Sequence, residues 1–267
     1  MSNAHHALPQ LARLYSQPAA AAVLNEAMAM LGDGIAASAI ESGALDAAMP
    51  SGVLAIIDAI SLEVIDQQLH AHAHPQTHDH DHGHDHEAAH HHADHDKHDH
   101  STAGHHDHSH DHAHAEPAEP AHSDKHDASR LTESAVYVLE KMAHGYSRLG
   151  RAAGAGFYDY TETPPQLWSG LKTFERRNRG IPAADITDRL THAAMLAALT
   201  IDDSADSAFI AANLGPKIAA SPAQVLDMLP ETDRLRFIDR CRELASRYGP
   251  RFEPSPAALT RLNRTQP

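Results

Sequence analysis

Between His70 and His126 lie 22 of the chain's 26 histidines, interleaved with 12 carboxylates and two lysines, Lys97 and Lys125. Neutral imidazole is a good donor to Zn²⁺, Ni²⁺, Cu²⁺ and Co²⁺, and a tetrahedral zinc site needs four donors at about 2.0–2.1 Å. In an extended segment, residues two apart point the same way. The run HDHDHGHDH would therefore present His78, His80, His82, His84 and His86 on one side and Asp79, Asp81 and Asp85 on the other. Further candidate ligands follow at His90, His91, His92, His95, His98, His100, His105, His106, His108, His110, His112 and His114. The carboxylates can accept the second imidazole proton or ligate directly. So many equivalent donors can hold several ions in interchangeable ways. That suits buffering, storage or delivery of zinc or nickel, whereas catalysis requires fixed ligands and an open position in a shaped cavity. The competing reading is a solvated spacer that chelates incidentally.

The same residues make this segment's charge depend steeply on pH. It carries −10 with neutral imidazoles and +12 with all of them protonated, a change centred near the reference histidine pKa of about 6.5. The whole chain of 267 residues has a formal charge of −15, which argues against nucleic acid as a partner. A single cysteine, Cys241, excludes an internal disulfide or a thiolate zinc site built by one chain, and points to a reducing compartment. The N-terminal stretch MSNAHHALPQLARLY has neither a basic start before an apolar run nor a small-residue cleavage site. No stretch approaches the roughly 18 apolar residues needed to cross a bilayer. A cytoplasmic protein with no membrane partner is expected.

The elements that must carry this block lie on either side of it. His70 to His126 contains no Val, Leu, Ile, Met or aromatic residue. With nothing to offset the entropy of ordering, it is expected to be a disordered loop when metal-free. Leu24, Ala27, Met28 and Leu31 before it, and Leu131, Ala135, Val138, Leu139 and Met142 after it, follow helical spacing. Ile186, Leu190, Ala193, Ala194 and Ala197 continue that pattern, with Asp185 as the expected N-cap. Ser221, Pro222 and Gln224 combine an N-cap, a first-turn proline and a capping-box partner ahead of Val225, Leu226 and Leu229. Asp233 is expected to open a further helix through Leu235, Ile238, Cys241 and Leu244, stopped by a left-handed Gly249. No convincing period-2 strand is present, so the predicted class is all-α.

The stretch Val23 to Val64, with LNEAM, AMPSGVLAIID and SLEV, resembles the C-terminal domain of 3-hydroxyacyl-CoA dehydrogenases. The resemblance resumes at Tyr146–Tyr160, where YSRLGRAAGAGFYDY is close to that family's glycine-turn signature G-R-L-G-R-K-x-G-x-G-F-Y-x-Y. DITDRLTHAAMLAALTIDDS, ADSAFIAANLG and ELASRYGPRFEPSPAALTRL resemble the repeated copy found in multifunctional fatty-acid oxidation proteins. The resemblance implies a first helical repeat over 11–69 and 128–160, an insert over 70–127, and a second, degenerate repeat over 161–267. It further implies helices that pack behind an NAD-binding domain, contribute to an acyl-CoA pocket and often form a subunit interface.

Hydride transfer in that family belongs to a Rossmann domain with a G-x-G-x-x-G turn and a His–Glu pair. No βαβ unit precedes Leu11, and GRAAGAG (Gly150–Gly156) does not follow a strand and open a helix. It reads as a tight turn before Phe157 and Tyr158, and no NAD site is expected. Where the family has an active-site Asn eight residues before the N-E-A asparagine, this chain has Gln17, followed by Pro18. Ala152 and Ala155 replace the basic residues expected beside the glycine turn, which would weaken a grip on the anionic part of CoA.

His144, at a helix end, and His192, within a helix, read as surface or hydrogen-bonded residues; Trp168 reads as a packing anchor, Asp58 as a residue that orients helices, and Cys241 as buried packing. No catalytic residue is assigned. The expectation is a non-catalytic or accessory helical relative of the dehydrogenase family, homo-oligomeric or bound to a β-oxidation enzyme, displaying a metal-binding loop. The alternatives are a dehydrogenase subunit that needs a separate NAD-binding partner, and a cytoplasmic zinc or nickel buffer or chaperone.

Overall fold

The computed structural model describes residues 11–73, 131–176, 180–201 and 205–264. Every metal-ligand candidate from His78 to His114, and the loop expected around them, lies outside the described residues. The chain is all-α. In its first half α1 spans Pro18–Gly32, α2 Ala37–Asp46, α3 Val53–Ile60, α4 Leu62–Ala73 and α5 Glu133–Glu140. In its second half α6 spans Ala183–Ala198, α7 Ser207–Leu214, α8 Pro222–Met228, α9 Glu231–Tyr248 and α10 Pro256–Leu262. A two-stranded antiparallel ribbon, β1 (Tyr158–Asp159) and β2 (Gln166–Leu167), is the one sheet among the described residues. No described helix is long and apolar enough to cross a membrane.

The centre of the fold is α1. Pro18 sets its first turn, and Ala19 to Ala22 leave its flank small enough for α5 and α6 to pack closely on either side. The stripe of Leu24, Ala27, Met28 and Leu31 is buried as its spacing requires, but the helix is buried all round, from Ala19 to Leu31, because both flanks are covered. At its C-terminal end a Cβ on Gly32 would stand 2.3 Å from the carbonyl oxygen of Ser134, so only glycine permits that approach to α5. Ser134 Oγ then donates to Asp33 Oδ1 at 2.8 Å.

Complete burial of α1 forces its polar side chains to find partners inside. Asn25 Oδ1 accepts from the Tyr15 hydroxyl at 2.7 Å. Glu26 accepts from Arg189 Nε on α6 at 2.5 Å and from Arg251 Nε at 2.6 Å and Nη2 at 3.0 Å. Arg189 also reaches Asp33 at 3.1 Å and lies over the Tyr248 ring. One carboxylate thus joins α1, α6 and the turn after α9.

The helices on either side of the His-rich block pair with each other. Leu62 N donates to Leu149 O at 2.9 Å, and one turn further along α4 Asp66 meets His144. These contacts advance along α4 while they retreat along the later segment, so α4 and α5 run antiparallel and Ala73 and Glu133 lie toward the same end. α4 carries on through His70–Ala73, the first residues of the expected insert. Thr132 caps α5 by accepting from Ala135 N at 3.2 Å, and Leu139 and Met142 face the core as expected.

In the second half the Ser221 cap is formed as expected, Oγ accepting from Gln224 N at 3.3 Å. The Gln224 side chain reaches back to Ala220 N, one residue before the cap. Four expectations are corrected. Asp185 is not an N-cap: Pro182 holds that position, and Asp185 sits inside the first turn, paired with Arg240 at 2.6 Å, Arg247 at 3.0 Å and the Tyr248 hydroxyl. α9 opens at Glu231, not at Asp233. Leu235 is 71% exposed, because the buried face of α9 is Arg234, Phe237, Ile238, Cys241 and Leu244, with the Arg234 guanidinium capping the carbonyls of Leu229, Leu262 and Arg264. Gly249 stops α9 with φ +115° and ψ 164°, a positive φ but an extended backbone instead of a left-handed one.

Removing one partner of a buried ion cluster strands the others. Glu26→Ala is expected to lower the unfolding free energy by about 3–5 kcal/mol, as read by urea denaturation. Combining it with Arg189→Met should cost less than the sum of the two single changes.

Candidate functional site

The stretches that carry the family resemblance meet around α3. This helix has only eight residues, and its N-terminus begins after Gly52 with no side-chain cap of its own. Its first-turn amides are satisfied from another element: Glu41 on α2 accepts from Leu54 N at 3.2 Å and Ala55 N at 3.3 Å. The Tyr158 hydroxyl adds a third hydrogen bond to Glu41 at 2.7 Å. Burial pushes the Glu41 carboxyl above its ordinary range, against the pull of these donors.

At the other end of α3, Asp58 is 1% exposed. It accepts from Phe157 N at 2.8 Å, Tyr158 N at 2.9 Å and the Tyr160 hydroxyl at 3.0 Å. Burial raises its pKa to about 6, although those three donors and the nearby Arg148 guanidinium favour the charged form. The same burial, together with the two carboxylates, pushes the Tyr158 and Tyr160 hydroxyls well above their usual range. Tyr158 therefore clips the turn to α3 at both ends, by its amide and by its hydroxyl.

The glycine turn is built to approach Asp58. It follows a π turn, Lys141–Gly145, and leads through a 3-10 turn, Arg151–Ala153, into β1. A Cβ on Gly156 would lie 2.0 Å from Asp58 Oδ1. The turn is thus the tight connection before Phe157 and Tyr158 that the sequence suggests, with an aspartate carboxylate where a dinucleotide turn would cradle a phosphate. Arg148 braces it from outside, donating to Gly156 O at 2.6 Å, Tyr158 O at 3.0 Å and Asp159 Oδ1 at 2.5 Å. Its guanidinium stacks over Trp168 at 4.3 Å, and Tyr146 meets the same ring edge-on. Trp168 is accordingly a packing anchor. Ala152 is exposed beside the turn and Ala155 half-buried within it, and neither supplies a charge.

The arrangement buries two carboxyls, Glu41 and Asp58, whose pKa values burial raises, and fixes a loop. His192 stacks on Phe237 at 4.9 Å, and burial lowers its pKa. Cys241 is fully buried and burial pushes its thiol up. His144 is exposed and faces Asp66. Gln17 is the N-cap of α1. A cavity of about 180 Å³ opens elsewhere, between Ile35, Ala39, Arg176, Ile181 and Ile186. Among the described residues no three or more His, Cys, Asp or Glu side chains are grouped as ligands for a metal. The residues that sequence reasoning missed are Glu41 and Arg148. Glu41 acts on α3 and on Tyr158, 117 residues away, whereas Arg148 acts on the turn 8 to 11 residues ahead of it, and the resemblance around Asp58 and GFYDY is the nearest signal for either.

The folded-state pKa of Asp58, about 6, lies above its ordinary 3.8, so the folded chain takes up the proton more readily than the unfolded one. The resulting stabilisation is full below about pH 4 and is lost as pH rises through about 6. Between pH 5 and 7, urea melts of the wild type should lose about 1–1.5 kcal/mol of stability relative to Asp58→Asn, which does not titrate. Equal pH slopes for the two proteins would contradict this. No protein-family model matches this chain, and no curated protein matches it.

Proposed function

We propose that this protein is a non-catalytic, helical relative of the C-terminal domain of 3-hydroxyacyl-CoA dehydrogenases that carries a divalent-metal store, of the zinc or nickel class, in its His/Asp-rich insert. The kinship rests on LNEAM, AMPSGVLAIID and YSRLGRAAGAGFYDY. It is supported by the way two of these stretches lock together, since Asp58 and Phe157 are 99 residues apart in sequence and hydrogen-bonded. The single observation that carries the reading is that closure across the insert. Asp58 to the glycine turn, Leu62 to Leu149 and α4 against α5 all join residues before the His-rich block to residues after it. The fold is thus tied on both sides of the block by contacts that do not involve it.

The chemistry of the block then stands apart from the helices. Degenerate, neighbouring imidazoles bind ions weakly and exchangeably, and their affinity falls as they protonate. The helices act as a platform, for a second copy of the chain or for an enzyme of acyl-CoA oxidation. A cytoplasmic location fits the single buried thiol. Without a dinucleotide turn, the platform supplies no hydride acceptor.

Calorimetric titration of the full chain with Zn²⁺ or Ni²⁺ at pH 7.5 is expected to show several equivalents bound, with affinity dropping as pH falls through about 6.5. Deletion of residues 74–130 should remove these multiple equivalents and leave the helical circular dichroism unchanged. Absence of binding heat at pH 7.5 would remove the metal store, and unfolding of the deletion variant would make the block part of the fold.

A further inference from the structure

Asp66 on α4 and His144 in the π turn bring a carboxylate and an imidazole together at the surface. Their Oδ2 and Nε2 atoms are 3.2 Å apart, and the side chains are 16% and 65% exposed. The backbone fixes this meeting. Leu62 N to Leu149 O sets the register of the antiparallel pair, and Tyr146 N donating to Lys141 O at 2.8 Å closes the wide turn from which His144 projects. Wide turns of this kind occur frequently at functional sites.

The separation matches shared coordination. Two donors at about 2.0–2.1 Å from one ion are about 2.9 Å apart at a right angle and about 3.3 Å apart at the tetrahedral angle. An ion can therefore take the place of the proton between Asp66 and His144 with little movement of either backbone. We propose that Asp66 and His144 form a surface site for one divalent cation of the zinc or nickel class, separate from the candidates in the insert. One carboxylate oxygen and the Nε2 lone pair bind the ion, any proton on Nε2 leaves to solvent, and water fills remaining positions.

This site does not depend on the insert binding metal, and the two have different signatures. Histidines adjacent in sequence hold metal in the folded and unfolded chain alike, so they change stoichiometry but not melting temperature. Asp66 and His144 come together only when α4 is packed against the turn, so an ion there stabilises the folded chain alone. For the full-length protein at pH 7.5, zinc at about a hundredfold above the dissociation constant is expected to raise the melting temperature by roughly 5–10 °C over an EDTA control. His144→Gln, at an exposed position, and Asp66→Asn should each remove most of that rise while the multiple equivalents seen by calorimetry persist. No rise in the wild type, or a rise that His144→Gln leaves undiminished, overturns the site.

Discussion

A carboxylate buried at the middle of a wholly enclosed helix constrains everything packed around it. Glu26 is 2% exposed, so its charge must be met inside the protein, and it is met by Arg189 from α6 and Arg251 from the turn after α9. Alanines on α1 bring the neighbouring helices close enough for those guanidiniums to reach. Pairing of this kind does little for net stability compared with apolar packing of the same volume, but it tolerates few alternative arrangements. It fixes which face of α6 meets α1 and holds the end of α9 against both. Asp185 extends the network outward through Arg240, Arg247 and Tyr248, and burial is there outweighed by the donors, so its pKa lies below the ordinary value.

Two further carboxylates, Glu41 and Asp58, organise α3. Glu41 serves as the missing cap of α3, and Asp58 near its far end receives the amides of the glycine turn. A helix of eight residues has little cooperative stability of its own. Here its ends are held by groups from α2 and from the segment beyond the His-rich block. The glycines answer that arrangement: Gly156 leaves room for the Asp58 carboxylate, and the amides after it are the donors.

What was legible in the sequence was local. The Ser221 cap was readable because its partner is three residues away, and the stripe of α5 and the π turn after it because Ala135, Val138, Leu139 and Met142 keep helical spacing. Asp185 was misplaced because its partners stand 55 to 63 residues off, so its type suggested a cap when its role was an ion pair. Leu235 was assigned to the wrong face because the true stripe of α9 includes Arg234, whose charge hides a buried position from an apolar count. α1 looked amphipathic because periodicity registers one face, whereas enclosure from both flanks buried Asn25 and Glu26 too. The glycine turn was read correctly as a turn, but its purpose depended on Asp58, on the other side of the insert. The metal candidates carry their signal in composition and in the two-residue spacing of His78 to His86, with no apolar residue among them to place that spacing against the helices.

The antiparallel pairing of α4 and α5 has a consequence for what this architecture can host. A chain that departs and returns at one end of a fixed helix pair needs only a closed loop, and the entropy of closing a flexible loop grows with the logarithm of its length. Doubling the intervening stretch adds only about 0.6 kcal/mol. The junction after Ala73 is thus a socket nearly indifferent to the size of its cargo, and cargoes of other composition could be exchanged there across evolution without retuning the helices.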